Sequence, residues 1–317
     1  MDSKKLFWGL DIGGTKCAIV TGDEECRILS RHAISTADYK NWEEVLETLL
    51  SFAPEEKPLA IGVSCGGPLD SKNGLILSPP NLPGWDEVPI VRWLEEKTGA
   101  RAYLQNDANA CALAEWRFGA GKGCDNMVFL TFGTGFGAGL ILNGKLYAGT
   151  NDMAGEVGHV RAAADGPVGY GKAGSFEGFC SGGGIAQIGQ MVARERLQMG
   201  QKVSFCESLD KILSITAKEI AMQAKAGQED AKEVYNICGK LLGKGLSILI
   251  DILNPEKIVL GSVFARSSEL LVDAMRAELE KECLPRALAH CEIVPAALQE
   301  SLGDVAALSV AVNGLKK

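Results

Sequence analysis

Two distant stretches of this chain share one plan: an apolar strand runs into a glycine turn and comes back as a second strand. In the first, residues 6–12 read as a strand, Gly13-Gly14 as the turn and residues 16–21 as the return, followed by a second turn at Gly22-Asp23. In the second, residues 126–132 lead into Gly133-Thr134-Gly135-Phe136-Gly137, residues 138–142 return, and Asn143-Gly144 offers a two-residue hairpin turn. The two are not close sequence repeats, so the duplication is architectural. A turn without Cβ atoms lets backbone amides approach a polyphosphate. The first turn adds the Thr15 hydroxyl and, at the strand end, the Asp11 carboxylate, which can hold a hydrated magnesium ion. Either turn alone reads equally well as an ordinary hairpin, and the second is only loosely like a dinucleotide fingerprint, because a strand rather than a helix follows it. A pair of such loops at corresponding places points to phosphate binding.

The rest of the chain supplies the lobes that such loops need. At 317 residues it is long enough for two cores, and the junction is placed near residues 119–123. Residues 42–52, 91–98 and 107–118 read as helices and 59–63 as a strand. Residues 231–253 place Val234, Ile237, Cys238, Leu241 and Leu242 at helical spacing, with Gly239, Gly243 and Gly245 permitting close approach of a neighbour. Asn254-Pro255 stops that helix, a strand follows at 257–260, and the alternation is that of an α/β lobe. A net charge of −8 argues against a sequence-independent grip on nucleic acid. The opening Met1-Asp2-Ser3-Lys4-Lys5 runs into a strand too short for a signal core or membrane span, so a cytoplasmic protein is expected. The ten cysteines form no Cys-x-x-Cys pair and are expected to be reduced, small and buried.

Paired strand-turn-strand phosphate loops occur in actin, hexokinases and heat-shock chaperones, and six stretches, the two loops among them, narrow the match. They are Asp11 to Lys16, Gly62-Val63-Ser64-Cys65-Gly66-Gly67-Pro68, Asn81-Leu82-Pro83-Gly84-Trp85, Asn106-Asp107-Ala108-Asn109-Ala110, Gly133 to Gly137, and Glu156-Val157-Gly158-His159. In order and spacing they resemble the ROK family of bacterial sugar kinases and sugar-sensing repressors, over nearly the whole chain. The resemblance implies an α/β, two-lobed actin-like ATPase (ribonuclease H-like) fold with an interdomain cleft. Residues 1–118 plus 301–317 are expected to form the smaller lobe, with the tail Gly303-Asp304-Val305-Ala306-Ala307-Leu308 as a last helix crossing back onto it. Residues 119–300 are expected to form the larger lobe.

The same resemblance implies roles. Asp107 corresponds to the family's catalytic base, a carboxylate that accepts the proton of a sugar hydroxyl during phosphoryl transfer; the residue alone reads equally as a helix cap. Asn106, Glu156 and Glu177 resemble residues that bind sugar hydroxyls, although a lone Glu is usually a solvated carboxylate. His159, in its Glu-x-Gly-His setting, joins them, as do Gly67 and Asn81. Asp11, Gly13, Gly14, Thr15, Lys16, Gly133, Thr134 and Gly135 are expected at the nucleotide phosphates, and Gly261 and Ser262 at the adenosine, where Ser262 replaces a commoner glycine. ATP and Mg2+ are the expected cofactors.

One departure is conspicuous. Many family members place three zinc-binding cysteines after the His, where this chain has Val168, Tyr170 and Ser175. Valine cannot ligate a metal, and Tyr and Ser are hard donors with high pKa values, so no zinc is expected. The loop is instead expected to be held by packing of Val168, Tyr170 and Phe176, which leaves His159 free for the sugar. The implied function is phosphorylation of a hexose, glucose at its 6-hydroxyl foremost, with N-acetylmannosamine, fructose, allose and mannose as alternatives and polyphosphate as an alternative donor. A sugar-sensing regulator is the competing class, and only ten residues precede Asp11 where the repressors carry a helix-turn-helix. Family habit implies a homodimer.

Overall fold

The structure, a computed structural model, describes residues 5–316; the opening Met1-Asp2-Ser3-Lys4 and the final Lys317 lie outside the described residues. In chain order the first elements are strands β1 (Phe7–Ile12), β2 (Lys16–Gly22) and β3 (Ile28–Ser35), helix α1 (Trp42–Ser51), and strands β4 (Ala60–Cys65), β5 (Leu69–Asp70) and β6 (Leu75–Ile76). Helix α2 (Ile90–Thr98), strand β7 (Arg101–Asn106) and helix α3 (Asp107–Phe118) follow, then strands β8 (Met127–Leu130), β9 (Ala138–Leu142), β10 (Lys145–Tyr147), β11 (Val168–Gly169) and β12 (Lys172–Ala173). The remainder is α4 (Phe176–Phe179), α5 (Gly182–Gln198), α6 (Ala217–Lys225), α7 (Glu229–Leu253), β13 (Lys257–Leu260), α8 (Ser262–Glu282), α9 (Pro285–Leu288), β14 (Glu292–Pro295) and α10 (Leu302–Gly314).

These elements cluster into two compact units. One holds the described residues up to Asp125, Gly139–Ala154 and the described residues from Ala297 onward; the other holds Asn126–Ala138 and Gly155–Ala296. The first unit is built on the sheet β3-β2-β1-β4-β7, in which β1 pairs antiparallel with β2 and parallel with β4. The period of two in the strands sorts their side chains. Trp8, Leu10 and Ile12 of β1 join Ile61, Val63 and Cys65 of β4, with Leu46 and Leu49 of α1 and Leu94 of α2, in one apolar core. The alternate residues Gly9 and Gly62 face α10, whose backbone comes so near that a Cβ on Gly62 would overlap Ala307 and Ala311. Helix α10 is accordingly buried from Asp304 to Val312 and, apart from Asp304 and Ser309, apolar over that stretch. Asp11 shares the α10 face of β1, which aims its carboxylate at that helix's first turn; a Cβ on Gly303 would lie 3.1 Å from Asp11 Oδ2.

Glu115, fully buried on α3, fastens the chain where it leaves and rejoins this unit. Its Oε2 accepts from Ala120 N (2.7 Å) and Ala297 N (3.2 Å), and its Oε1 from Leu298 N (2.9 Å). The expected hairpin turn is present: Asn143 and Gly144 have φ of 52° and 67°, and Leu142 pairs with Lys145 across them.

The second unit carries parallel strands β8, β13 and β14. Helix α7 packs along α8 at its glycines, where a Cβ on Gly239 would lie 2.8 Å from Leu271 O and one on Gly243 2.9 Å from the Glu278 Cβ. It ends at Asn254, in the left-handed conformation that Pro255 then seals. Eight of the ten cysteines are buried. Among the described residues, no helix is long and apolar enough to cross a membrane.

Candidate functional site

The first unit gathers most of the residues singled out from the sequence. Gly13 and Gly14 make the β1–β2 turn, closed by Gly13 N donating to Lys16 O at 3.1 Å, with Thr15 and Lys16 exposed. Gly14 must be glycine, because a Cβ there would run into the carbonyl of Asn81. A Cβ on Gly66 would lie 3.6 Å from the Asn81 amide, and one on Gly67 3.4 Å from Asn106 Nδ2. Gly14, Asn81, Gly67 and Asn106 therefore form one continuous surface of the unit. Thr36, just past β3, supports the turn from behind: its hydroxyl donates to Gly13 O (2.8 Å) and its backbone N–H to Thr15 O (3.1 Å).

Asp107 and Asn106 share the start of α3. Asn106 is the N-cap, its Oδ1 accepting from Ala108 N at 2.9 Å, and Asp107 is the first helical residue, its Oδ1 accepting from the same N–H at 2.8 Å. The two side chains thus share one N–H, and Asp107 as a whole residue keeps contact with solvent. Its carboxyl is still hemmed in by protein atoms, and the resulting desolvation raises its pKa against the pull of the backbone amides. Asp11 is pushed from 3.8 to about 6, first by burial, then by the like charges of Asp304 and Asp107, with Arg31 opposing. Arg31 Nε donates to both oxygens of Asp304, at 3.0 and 2.8 Å. Asp304 and Arg31 are neighbours of Asp11 that sequence reading misses, since they meet across the sheet from distant parts of the chain.

The second unit builds another glycine loop. Thr131 pins its ends: Thr131 N donates to Gly137 O (2.9 Å), and Gly137 N donates to Thr131 Oγ1 (2.9 Å). Inside it Gly133 N donates to Gly135 O at 3.0 Å, and Thr134 is exposed. Glu177 sits against this loop. Its Oε2 accepts from Phe136 N at 3.0 Å, and a Cβ on Gly135 would lie 3.1 Å from the same oxygen. Two helix N-termini abut the loop. Gly182, opening α5, donates its N–H to Gly133 O (2.8 Å), while Ser262, opening α8 after Gly261, donates its hydroxyl to Phe132 O (3.1 Å). Glycine loops beside helix N-termini suit anionic groups. Glu156 and His159 are both exposed, and the His159 ring meets Tyr170 edge-on at 6.4 Å between centroids.

The segment that lacks the cysteines is held otherwise than by the expected packing. Phe176 is buried, but Val168 is 47% and Tyr170 75% exposed, so neither replaces a cross-link by burial. Hydrogen bonds do the holding instead. Val168 and Gly169 pair with Ala173 and Lys172 in a small hairpin, and Gln187 clasps Val168 from both sides, Val168 N donating to its Oε1 (2.8 Å) and its Nε2 to Val168 O (2.9 Å). Ser175 is fully buried as the N-cap of α4, its hydroxyl accepting from Gly178 N (3.1 Å) and donating to Gly169 O (3.3 Å).

A family model described as the ROK family matches residues 7–313. A glucokinase of Thermotoga maritima is 30% identical over 98% of this chain and 98% of its own, and one of Halalkalibacterium halodurans is 33% identical over 96% and 94%. Among solved structures, a ROK family glucokinase from Streptomyces griseus, in complex with glucose and AMPPNP, is 29% identical with a TM-score of 0.77, over 98% of this chain and all of that one. The likeness carries the fold, which is the mixed α/β, two-sheet actin-like ATPase architecture.

Proposed function

The chain belongs to the ROK family, and from that footing we propose that it is an ATP-dependent sugar kinase that phosphorylates a hexose hydroxyl, the 6-hydroxyl of glucose foremost. The observation that carries this reading is Asp107, a desolvated carboxylate beside the capping Asn106 at the start of α3, in the same unit as a glycine loop with a carboxylate at its strand end. A sugar hydroxyl is a poor nucleophile at neutral pH, so a carboxylate in reach must accept its proton as the oxygen moves onto the γ-phosphorus. Desolvation makes Asp107 more basic than an ordinary aspartate and so better suited to that task.

In this reading Gly13, Gly14, Thr15 and Lys16 take the donor phosphates together with Gly133, Thr134 and Gly135, while Gly261 and Ser262 lie toward the adenosine. Gly67, Asn81, Asn106, Glu156, His159 and Glu177 hold the sugar hydroxyls. Magnesium fits the donor set, because the Asp11 charge is crowded by Asp107 and Asp304 and a cation would relieve it. Among the described residues no group of three metal-ligating side chains is assembled, and Mg2+ commonly takes one carboxylate and completes its shell with water and phosphate oxygens. Bound by Asp11 it would neutralise charge on the donor phosphates. A cytoplasmic homodimer belongs to the same proposal, as do the alternatives of another hexose or a sugar-sensing regulator.

The test is a panel of hexoses with ATP and Mg2+, read by coupled ADP release, on the wild type and on Asp107→Asn. The variant is expected to lose about 10²–10⁴ in kcat and to keep sugar binding. Near-normal turnover by the variant overturns the base assignment, and no turnover of any sugar by the wild type favours the regulator.

A further inference from the structure

We infer that Thr36 is the positioning residue of the first glycine loop, drawing two of its carbonyls back so that the amides of Gly14 and Lys16 are aimed at the donor's phosphate; this rests on the proposed function for the identity of that anion. The hydroxyl of Thr36 donates to Gly13 O at 2.8 Å and its backbone N–H donates to Thr15 O at 3.1 Å. A trans peptide is planar, with its C=O and the following N–H pointing in opposite directions. The Gly13 carbonyl shares a plane with the Gly14 amide, and the Thr15 carbonyl with the Lys16 amide. Because both carbonyls turn toward Thr36, both amides turn away from it.

In an ordinary two-residue hairpin the residues flanking the turn exchange a pair of backbone bonds. Here Gly13 N reaches Lys16 O, but the Gly13 carbonyl goes to the Thr36 hydroxyl. The Cys17 thiol completes the anchorage, 3.3 Å from Thr36 Oγ1 and 3.5 Å from Gly13 O. Thr15 and Lys16 of the turn are exposed, and Gly14 carries no Cβ, that direction being taken by the Asn81 carbonyl. Two amides turned to the side of the loop away from Thr36, the first of them without a Cβ, are donors suited to an oxyanion. Thr36 touches neither phosphate nor sugar in this arrangement and acts through the loop.

The experiment compares wild type, Thr36→Val and Thr36→Ser. Val keeps the shape and removes the hydroxyl; Ser keeps the hydroxyl. Thr36→Val is expected to raise KM for ATP about tenfold, the cost of one hydrogen bond to a preorganised group. KM for the sugar should stay within about twofold and Thr36→Ser should restore the wild-type value. Tripolyphosphate binding by calorimetry should weaken by the same factor in Thr36→Val, whereas adenosine binding should not change. The inference is overturned if KM rises equally for both substrates, if Ser does not rescue, or if tripolyphosphate binds the Val variant as tightly as the wild type. Should Val fail to fold, Thr36→Ala is read by the same ratios. A wild type that turns over no sugar refutes the kinase reading alone, because the tripolyphosphate comparison needs no turnover.

Discussion

Asp11 stores a conflict between stability and use. Its pKa in the folded chain is about 6 against an ordinary 3.8, a difference equivalent to about 3 kcal/mol. A folded-state pKa above the unfolded one means that the group favours folding below about pH 4 and loses that advantage as pH rises through 6. Asp11→Asn is therefore expected to melt several degrees higher than the wild type at pH 8, with the gain disappearing near pH 4, while magnesium-dependent turnover collapses. Equal melting temperatures at pH 8 would show that the Asp11 charge is not crowded. In the wild type, turnover at limiting magnesium should fall as the pH drops through about 6, and saturating magnesium should move that fall to lower pH. Asp11 itself was legible in the sequence from its place before Gly13-Gly14. The source of its raised pKa was not, because the burial that leads it, the like charge of Asp304 and the opposing charge of Arg31 arise only when the last helix and the third strand take their places on the sheet.

Elements with strong local signals were read closely. Helix α3 begins and ends where the Ala-rich run does, β13 matches its expected bounds, and α7 stops at Asn254-Pro255. Strand β3 gave no such signal, being exposed along most of its length, so no alternation of apolar residues marks it. The hairpin β11–β12 is supported by hydrogen bonds and not by the packing that its residue types suggest. Val168 and Tyr170 look like packing residues by type, but Tyr170 occupies the turn with φ of 42° and projects into solvent. Gln187 and Ser175 fix the hairpin by hydrogen bonds to backbone, which no local pattern announces. The protein should carry no stoichiometric zinc and stay folded and active after chelation once magnesium is restored; about one zinc per chain, lost with activity on His159→Ala, would contradict that. A Cβ at Gly62 has only the backbone of α10 to meet, so Gly62→Ala should cost about 1–3 kcal/mol or more in denaturant unfolding, and an unchanged midpoint would mean that α10 can shift away freely.

At the scale of the molecule, neither unit is a continuous piece of chain. The unit built on β1 also takes Gly139–Ala154 and the segment from Ala297 onward, and Glu115 ties Ala120, shortly before the chain leaves the unit, to its return at Ala297 and Leu298. Glu115→Ala removes the acceptor shared by those returning amides and is expected to destabilise the protein by about 3 kcal/mol or more. Retention of full stability would mean that another group takes over the returning segment. The burial of α10 against Gly9 and Gly62 reaches further, into biosynthesis. A ribosome makes the strands of the first sheet before the second unit and the helix that covers them only after it, so during that interval of translation the face that α10 covers lacks this helix. The nascent chain must keep it from other apolar surfaces throughout, and a ribosome stalled before Leu302 would release a product with that face bare, a natural client for chaperones and proteases.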